Sequence, residues 1–161
     1  MKAAEQGHAG AQNNLANAYC NGQGIPQNFP QAVEWYRRAA EQGHVVAQYN
    51  LGNRYYKGQG VRPDYGLAVT WFLKAANQNF ANAQNMLAVC CAHGHGCPLD
   101  YVKAFEWYSK AAMLGDADGL CNLGNAYYNG LGVKKDDAKA VELYTKAANQ
   151  GHVGAQKYLA Y

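Results

Sequence analysis

Apolar residues recur along this chain in stripes with helical spacing. In residues 47–58, Ala47, Leu51 and Tyr55 are spaced i, i+4, i+8, which places them on one face of an α-helix. In residues 64–78 a second stripe is made of Ala68, Phe72, Ala75 and Ala76. Two amphipathic helices in tandem predict an antiparallel helical hairpin. Continued along the chain, the pattern predicts nine helices, the last of them partial, and no strands.

The hairpin pattern repeats with a constant period. The pair Ala-Ala recurs at positions 3, 39, 75, 111 and 147, a spacing of 36 residues without insertion. Complete periods therefore run over 3–38, 39–74, 75–110 and 111–146, and a partial period over 147–161. A constant period of this length is typical of a solenoid. We expect an all-α fold, a right-handed alpha-alpha superhelix of antiparallel helix pairs, that forms a single domain over residues 1–161.

Glycines mark the predicted ends of the helices. Each first helix ends in Gly-x-Gly, as at Gly58 and Gly60, and glycine is the usual residue where a helix ends with positive φ. Each second helix ends at Gly7, Gly43, Asn79, Gly115 or Gly151. The Gly-x-Gly segments lack the preceding strand and following lysine of a phosphate-binding loop, so they indicate helix ends rather than a nucleotide site.

Two segments carry a recognisable repeat motif. Gly52–Val61 reads G-x-x-Y-Y-x-G-x-G-V, and Ala68–Ala76 follows with A-V-x-W-F-x-K-A-A. The pattern returns at Gly124–Val133 and Ala140–Gly151, with Leu143 and Tyr144 in place of the Trp and Phe. This pattern resembles the Sel-one-like repeat, which is related to the tetratricopeptide repeat, and the resemblance covers essentially the whole chain. It implies an adaptor or scaffold that binds other proteins, as in signalling, membrane-protein turnover or bacterial host contact.

A cysteine-rich secreted branch of that family joins each second helix to the next first helix by a disulfide. Here the corresponding positions are Ala40 and Gln48 in one pair, and none of the equivalent positions is a cysteine. The penicillin-related activity attributed to that branch therefore does not carry over.

The segment 90–97, CCAHGHGC, is a candidate for metal or redox chemistry. Cys90, His93, His95 and Cys97 could form a zinc site if the turn wrapped around the ion. A disulfide between Cys91 and Cys97 is a second possibility. The register favours a third: Cys91 stands where Tyr55 stands in the second period, and Cys97 where Val61 stands, so both are expected to be buried apolar residues. No cofactor or metal is expected.

Composition narrows the function classes. The net charge of +3 is small and the basic residues are scattered, which argues against nucleic acid as a partner. No apolar run approaches the ~20 residues that span a bilayer, so membrane insertion is not expected. The first ten residues, MKAAEQGHAG, contain no signal peptide, and the cellular location stays open. The only serine, Ser109, lacks the surroundings of a hydrolase nucleophile, and we expect no enzymatic activity.

The resemblance to tetratricopeptide repeats implies which side chains line a concave face formed by the first helices. These positions are rich in Asn and Tyr, which suit an extended polypeptide. The predicted partner-binding residues are Asn13, Asn17, Tyr49, Asn53, Tyr56, Lys57, Asn85, Asn125, Tyr128 and Asn129. In peptide-binding relatives an Asn at the place of Asn17, Asn53 and Asn125 holds the ligand backbone, but Val89 interrupts this series in the third period. Helix packing and solubility are the alternative roles for these Asn residues.

The sequence therefore predicts a protein-interaction scaffold that binds a protein or peptide on its concave face. Two alternatives remain: a structural segment of a longer repeat array, and a metal or redox protein centred on residues 90–97. Apolar residues near the end of the sequence, Tyr158, Leu159 and Tyr161, also predict self-association through terminal helices that lack a cap.

Overall fold

The computed structural model describes residues 2–160, and all of the regular structure in this range is helical. It confirms a helical repeat of two helices in each period. The expected number of nine helices was wrong, because the tail of a second helix at the start forms a short helix of its own. The ten helices are α1 (Lys2–Glu5), α2 (Ala9–Asn21), α3 (Phe29–Glu41), α4 (Val45–Lys57), α5 (Tyr65–Ala76), α6 (Ala81–His93), α7 (Tyr101–Met113), α8 (Ala117–Asn129), α9 (Asp137–Asn149) and α10 (Val153–Leu159).

The helices fall into two compact units, Met1–Gln78 and Asn79–Tyr161. In the first unit α2 packs on α3 and α4 on α5; in the second unit α6 packs on α7 and α8 on α9. Each unit therefore contains two complete hairpins. That residues 1–161 behave as a single solenoid domain remains a prediction.

The core of each hairpin consists of small residues packed around one large ring. In α4–α5, Leu51 and Phe72 are completely buried, as is Ala68, where the small side chain lets the two helices approach. In α8–α9, Tyr144 takes the place of Phe72 and Ala140 that of Ala68. Both pairs lie where the helical spacing placed them.

Side-chain caps set the start of every second helix from α3 to α9. In α5, the carboxylate Oδ1 of Asp64 accepts a hydrogen bond from the backbone N–H of Leu67 at 2.8 Å. The same bond to the residue three positions on is made by Asn28, Asp100 and Asp136. These residues satisfy N–H groups that have no partner within the helix, which is why each hairpin turns at the same place.

In two of the Gly-x-Gly segments, at Gly60 and Gly132, the second glycine allows a close approach between neighbouring hairpins of one unit. A Cβ atom at Gly60 would lie 2.3 Å from the backbone carbon of Phe29, at the start of α3. A Cβ atom at Gly132 would lie 2.1 Å from the backbone oxygen of Tyr101, at the start of α7. Both glycines also have positive φ. Within each unit, a side chain at these positions would push one hairpin away from the next.

Buried glutamine side chains join the end of one second helix to the following first helix, at positions where the resemblance described above implies disulfides in a cysteine-rich branch. The Nε2 atom of Gln48, on α4, donates to the backbone oxygen of Ala40 at 3.1 Å. Gln12 makes the same bond to the backbone oxygen of Ala4, also at 3.1 Å. Both glutamines are buried. A hydrogen bond at these positions thus connects the end of one second helix to the following first helix.

Candidate functional site

Two of the predicted binding residues are held by tyrosines of their own hairpins. The hydroxyl of Tyr36 donates to Oδ1 of Asn17 at 2.5 Å. The hydroxyl of Tyr144 donates to Oδ1 of Asn125 at 2.7 Å. Both bonds join residues 19 positions apart, from a first helix to the second helix of the same hairpin. The oxygen of each amide is therefore occupied, and its NH2 group remains available as a donor.

The hairpin α4–α5 lacks this bond because Phe72 stands where the other hairpins have tyrosine. Asn53 is half-buried, and its side chain has no hydrogen-bond partner among residues 2–160. It lies on the same face of α4 as Tyr49 and Tyr56. The ring centroids of these tyrosines lie 6.0 and 6.4 Å from that of Phe72, and the ring of Tyr56 is 5.1 Å from that of Tyr65. An amide with both donor and acceptor free thus sits within an aromatic cluster, Tyr49–Tyr56–Tyr65–Phe72.

Two other predicted residues are buried and hold neighbouring first helices together. Asn85 is 7% exposed, and its Oδ1 accepts from Nδ2 of Asn122 at 2.9 Å. Asn13 is 6% exposed, and its Oδ1 accepts from Nδ2 of Asn50 at 3.4 Å. Burial argues against direct contact of Asn13 and Asn85 with a partner.

Sequence reasoning missed the donors in these bonds, Asn50 and Asn122. A signal was available, because Asn also stands at position 14, which is one and three periods before them.

The remaining predicted residues lie near the ends of first helices. Lys57 is exposed at the end of α4. Tyr128 is 52% exposed, with Nζ of Lys135 lying 5.0 Å from its ring centroid. Asn129 is exposed and donates from Nδ2 to the backbone oxygen of Asn125 at 2.9 Å.

The second unit contains a cavity of about 290 Å³ between α6, α7 and α8. Its walls include His93, Tyr101, Phe105, Tyr108, Asn122 and Asn125. None of the residues that line it is an Asp, Glu, Lys or Arg. Of these residues Asn125 was predicted to bind a partner, whereas the aromatic wall from α7 was missed, since Tyr101 and Phe105 belong to a second helix.

The cysteines of the segment 90–97 lie in or beside the core. Cys90 and Cys91 are buried, and Cys97 is partly buried against the cluster that contains Cys91 and Tyr108. The Sγ atoms of Cys91 and Cys97 are 3.8 Å apart, and both are free thiols. Burial raises the pKa of Cys90 to about 12, and burial together with Cys97 raises the pKa of Cys91 to about 11. Protonated thiols are poor nucleophiles and poor metal ligands.

No group of three or more His, Cys, Asp or Glu side chains converges on a possible metal position within the described residues.

The helical hairpins, repeated with a 36-residue period, define an α-helical repeat protein. The profile of the Sel1 repeat matches residues 9–44, 45–80, 81–116 and 117–152. The chain therefore belongs to the Sel1 repeat family. Each matched repeat is 36 residues long, and the first begins six residues after the period counted from the alanine pairs. Sel1 repeats are commonly protein-interaction scaffolds, and the fold is generally non-enzymatic.

Solved structures of bacterial proteins share this fold. The chain is 41% identical to c5321, described as a protective antigen of uropathogenic Escherichia coli with an SLR fold, with a TM-score of 0.94 over 99% of this chain and 34% of that one. It is 40% identical to a Sel1 repeat protein of Oxalobacter formigenes, with a TM-score of 0.90 over 96% and 62% of the two chains. Cysteine rich protein B of Helicobacter pylori is 26% identical, with a TM-score of 0.65 over 82% and 95%.

The chain thus spans about a third of the length of c5321 and somewhat under two thirds of the Oxalobacter protein. A comparison with curated proteins found no match. Within residues 2–160, every helix is too short or too polar to cross a bilayer.

Proposed function

We propose that this protein is an interaction scaffold that binds extended polypeptide on the first helices of each unit, with contacts at Tyr49, Asn53 and Tyr56 in the first unit and at Asn125 and Tyr128 in the second. The observation that carries the proposal is the state of Asn53. Asn53 makes no side-chain bond within the described residues, and its amide atoms are not among the buried polar atoms that lack a partner, so both its donor and its acceptor are open to a ligand. A bound polypeptide can use both, because its main chain offers a donor and an acceptor.

The aromatic cluster around Asn53 adds to this argument. Tyrosine side chains bury a large area at a small cost in conformational entropy, and their hydroxyl groups remain able to form hydrogen bonds. Tyr49 and Tyr56 are both half-buried and lie one turn to either side of Asn53 along α4. A ligand strand that reaches Asn53 therefore contacts aromatic surface on both sides of the amide.

The test is selection of peptides on the full chain from a displayed library, followed by affinity measurements with purified variants. We expect Asn53→Ala to raise the Kd of the selected peptides about tenfold. This factor corresponds to about 1.4 kcal/mol of lost hydrogen bonding. Since Asn53 makes no side-chain bond within the described residues, the variant keeps its fold. Gln31→Ala, at an exposed position of the second helix α3, is the matched control and leaves the affinity unchanged.

Tyr56→Ala and Asn125→Ala are measured in parallel. The proposal would be contradicted if the selected peptides bound all three variants as tightly as they bind the wild-type protein. Hydrogen exchange would then show where the peptide binds. A peptide bound only to second helices would not slow amide exchange in α4 and α8.

The proposal includes contact between copies of the chain through α10. Leu159 continues the series Leu51, Leu87 and Leu123, but it is 39% exposed, because within the described residues no second helix covers it. Tyr158, whose ring lies 4.9 Å from that of Tyr144, is 53% exposed. Tyr161, the third residue of the predicted contact, lies outside the described residues. We expect sedimentation to detect dimers at high concentration that Leu159→Lys abolishes; a strict monomer would contradict the self-association.

A further inference from the structure

The cavity between α6, α7 and α8 contains two amide groups whose orientations are set by bonds at their other ends. Tyr144 occupies Oδ1 of Asn125, so the NH2 group of Asn125 is the free donor. Asn85 occupies Nδ2 of Asn122, so the Oδ1 atom of Asn122 is the free acceptor. Neither free group has another partner within the described residues. These two amides therefore present a donor from Asn125 and an acceptor from Asn122, beside the polar atoms of His93, Tyr101 and Tyr108 in the same lining.

The free donor and the free acceptor lie on the same side of the cavity. Asn122 and Asn125 are three residues apart on α8, and residues with this spacing share a face of a helix with their Cβ atoms about 5–6 Å apart. The group that satisfies both must present an acceptor and a donor toward that one face. The C=O and N–H of one trans peptide group point in opposite directions, so main chain satisfies the pair only with two successive peptide groups of an extended residue. A primary carboxamide carries its oxygen and one of its N–H bonds on the same side, and so matches the pair.

The rest of the cavity favours a neutral group with flat faces. No Asp, Glu, Lys or Arg lines it, so no permanently charged side chain faces a ligand there, and a carboxylate would meet the Oδ1 atom of Asn122. The rings of Tyr101, Phe105 and Tyr108 supply apolar walls. The volume of about 290 Å³ is at the lower end of the range for small-molecule sites, which suits one side chain better than a cofactor.

We propose that this cavity is a subsite for a primary carboxamide, the side chain of a glutamine in the bound polypeptide. This inference rests on the proposed function and adds selectivity to it. Asn125 and Asn122 form hydrogen bonds with the oxygen and the NH2 group of the glutamine, while the aromatic wall covers its CH2 groups. Glutamate and leucine are disfavoured, because the first repels the acceptor and the second leaves both amide groups unsatisfied.

The test uses three peptides, acetyl-Gly-Gly-X-Gly-Gly-N-methylamide with X as Gln, Glu or Leu. The N-methylamide end leaves the glutamine side chain as the only primary carboxamide in the set. Titration of the full chain is followed by the 15N–1H NMR signals of the asparagine side chains. We expect the Gln peptide to bind about tenfold more tightly than the other two and to shift the signals of Asn122 and Asn125.

Asn125→Asp is the diagnostic variant, since it keeps an acceptor for Tyr144 and replaces the free donor with a carboxylate oxygen. Because the new charge also repels Glu, the readout is the preference for Gln over Leu, which should fall to twofold or less. Asn17→Asp makes the same change beside Tyr36 in the first unit and should leave the preference intact. If Asn125→Asp fails to fold, Tyr144→Phe releases the Asn125 amide instead and should reduce the same preference.

The outcomes separate the subsite from the general function. Equal affinity for the Gln and Leu peptides would mean that the cavity is merely apolar and would overturn the subsite. Equal affinity for all three peptides would mean that main-chain amides are bound, with the same consequence. If library-selected peptides still depend on Asn53 in either case, the scaffold function stands and only the subsite fails.

Discussion

The hairpins α4–α5 and α8–α9 pack in nearly the same way, but the buried ring of the second helix carries a hydroxyl group only in α8–α9. In both, a glycine of the first helix faces the large ring of the second: a Cβ atom at Gly52 would lie 2.7 Å from Phe72, and one at Gly124 would lie 2.7 Å from Tyr144. In α8–α9 the hydroxyl binds Asn125, whereas in α4–α5 Asn53 is left without a partner. The same packing thus produces a fixed amide in one hairpin and a free one in the other.

This comparison explains how a repeat can vary its binding chemistry without changing its fold. Packing depends on the ring, which Phe and Tyr share, while hydrogen bonding depends on the hydroxyl, which only Tyr has. A series of such hairpins can therefore change which donors and acceptors its first helices offer by substitutions in the second helix.

The largest expected effect comes from truncating the leucine next to each glycine. Leu51→Ala should lower the free energy of unfolding by about 2–5 kcal/mol, and Leu123→Ala by an amount at the lower end, because Leu51 is fully buried and Leu123 is 8% exposed. Chemical denaturation measures both. Leu123 also packs in the cluster of Ala88 and Tyr108, so hydrogen exchange should rise in α6 and α7 as well as in α8. An unchanged unfolding midpoint for either variant would mean that the core assignment is incorrect.

The next largest effect is expected from filling the close contact between each first-helix glycine and the buried ring of the second helix. Gly52→Ala and Gly124→Ala each place a methyl group against a buried ring, which costs about 1–3 kcal/mol, while helix propensity returns about 0.5–1 kcal/mol. We expect a net loss of about 1 kcal/mol in thermal or chemical unfolding. Gly10→Ala, where a Cβ atom meets nothing within 4 Å, is the control and should be neutral or stabilising. Equal results for all three substitutions would show that the close contact carries no cost.

Exchanging the rings converts one hairpin into the other. Tyr144→Phe should destabilise by about 0.5–1.5 kcal/mol through the lost bond to Asn125. Phe72→Tyr should recover part of that amount in α4–α5, because a hydroxyl there can reach Asn53 as it reaches the equivalent Asn17 and Asn125. Phe72→Tyr should also lower the affinity for any ligand that binds through Asn53. If Phe72→Tyr stabilised the protein but left peptide affinity unchanged, the free amide of Asn53 would not be needed for the proposed function.

The smallest effect is a difference in alkaline stability. Burial raises the pKa of Tyr144 well above its ordinary value of 10.0, with Cys121 the next cause. Above pH 10 the unfolded tyrosine ionises while the folded one keeps its proton, so stability falls as the pH rises from that value. Tyr144→Phe should make the fall shallower, measured as the urea midpoint at each pH. Parallel pH profiles would indicate that Tyr144 ionises at its ordinary pKa.

Much of the fold followed from local pattern. The i, i+4 stripes found the core residues Leu51 and Phe72, and the positive-φ residues that end the helices, including Asn79 with φ of 59°, stand where the period predicted them. The short helix α1 was missed because it falls at the edge of the first period. The cavity wall from Tyr101 and Phe105 was missed because binding residues were predicted only on the first helix of each hairpin, and these two residues lie on a second helix.

The sequence by itself determined that the chain is an all-α repeat with a 36-residue period, because helical spacing, glycine ends and small core residues are local signals repeated in register. Only the tertiary structure decided which asparagines are free. Asn17, Asn53 and Asn125 occupy equivalent positions and are identical in sequence terms. Their difference arises 19 residues away, in whether the ring that packs against each carries a hydroxyl, and this contact exists only when the two helices pair.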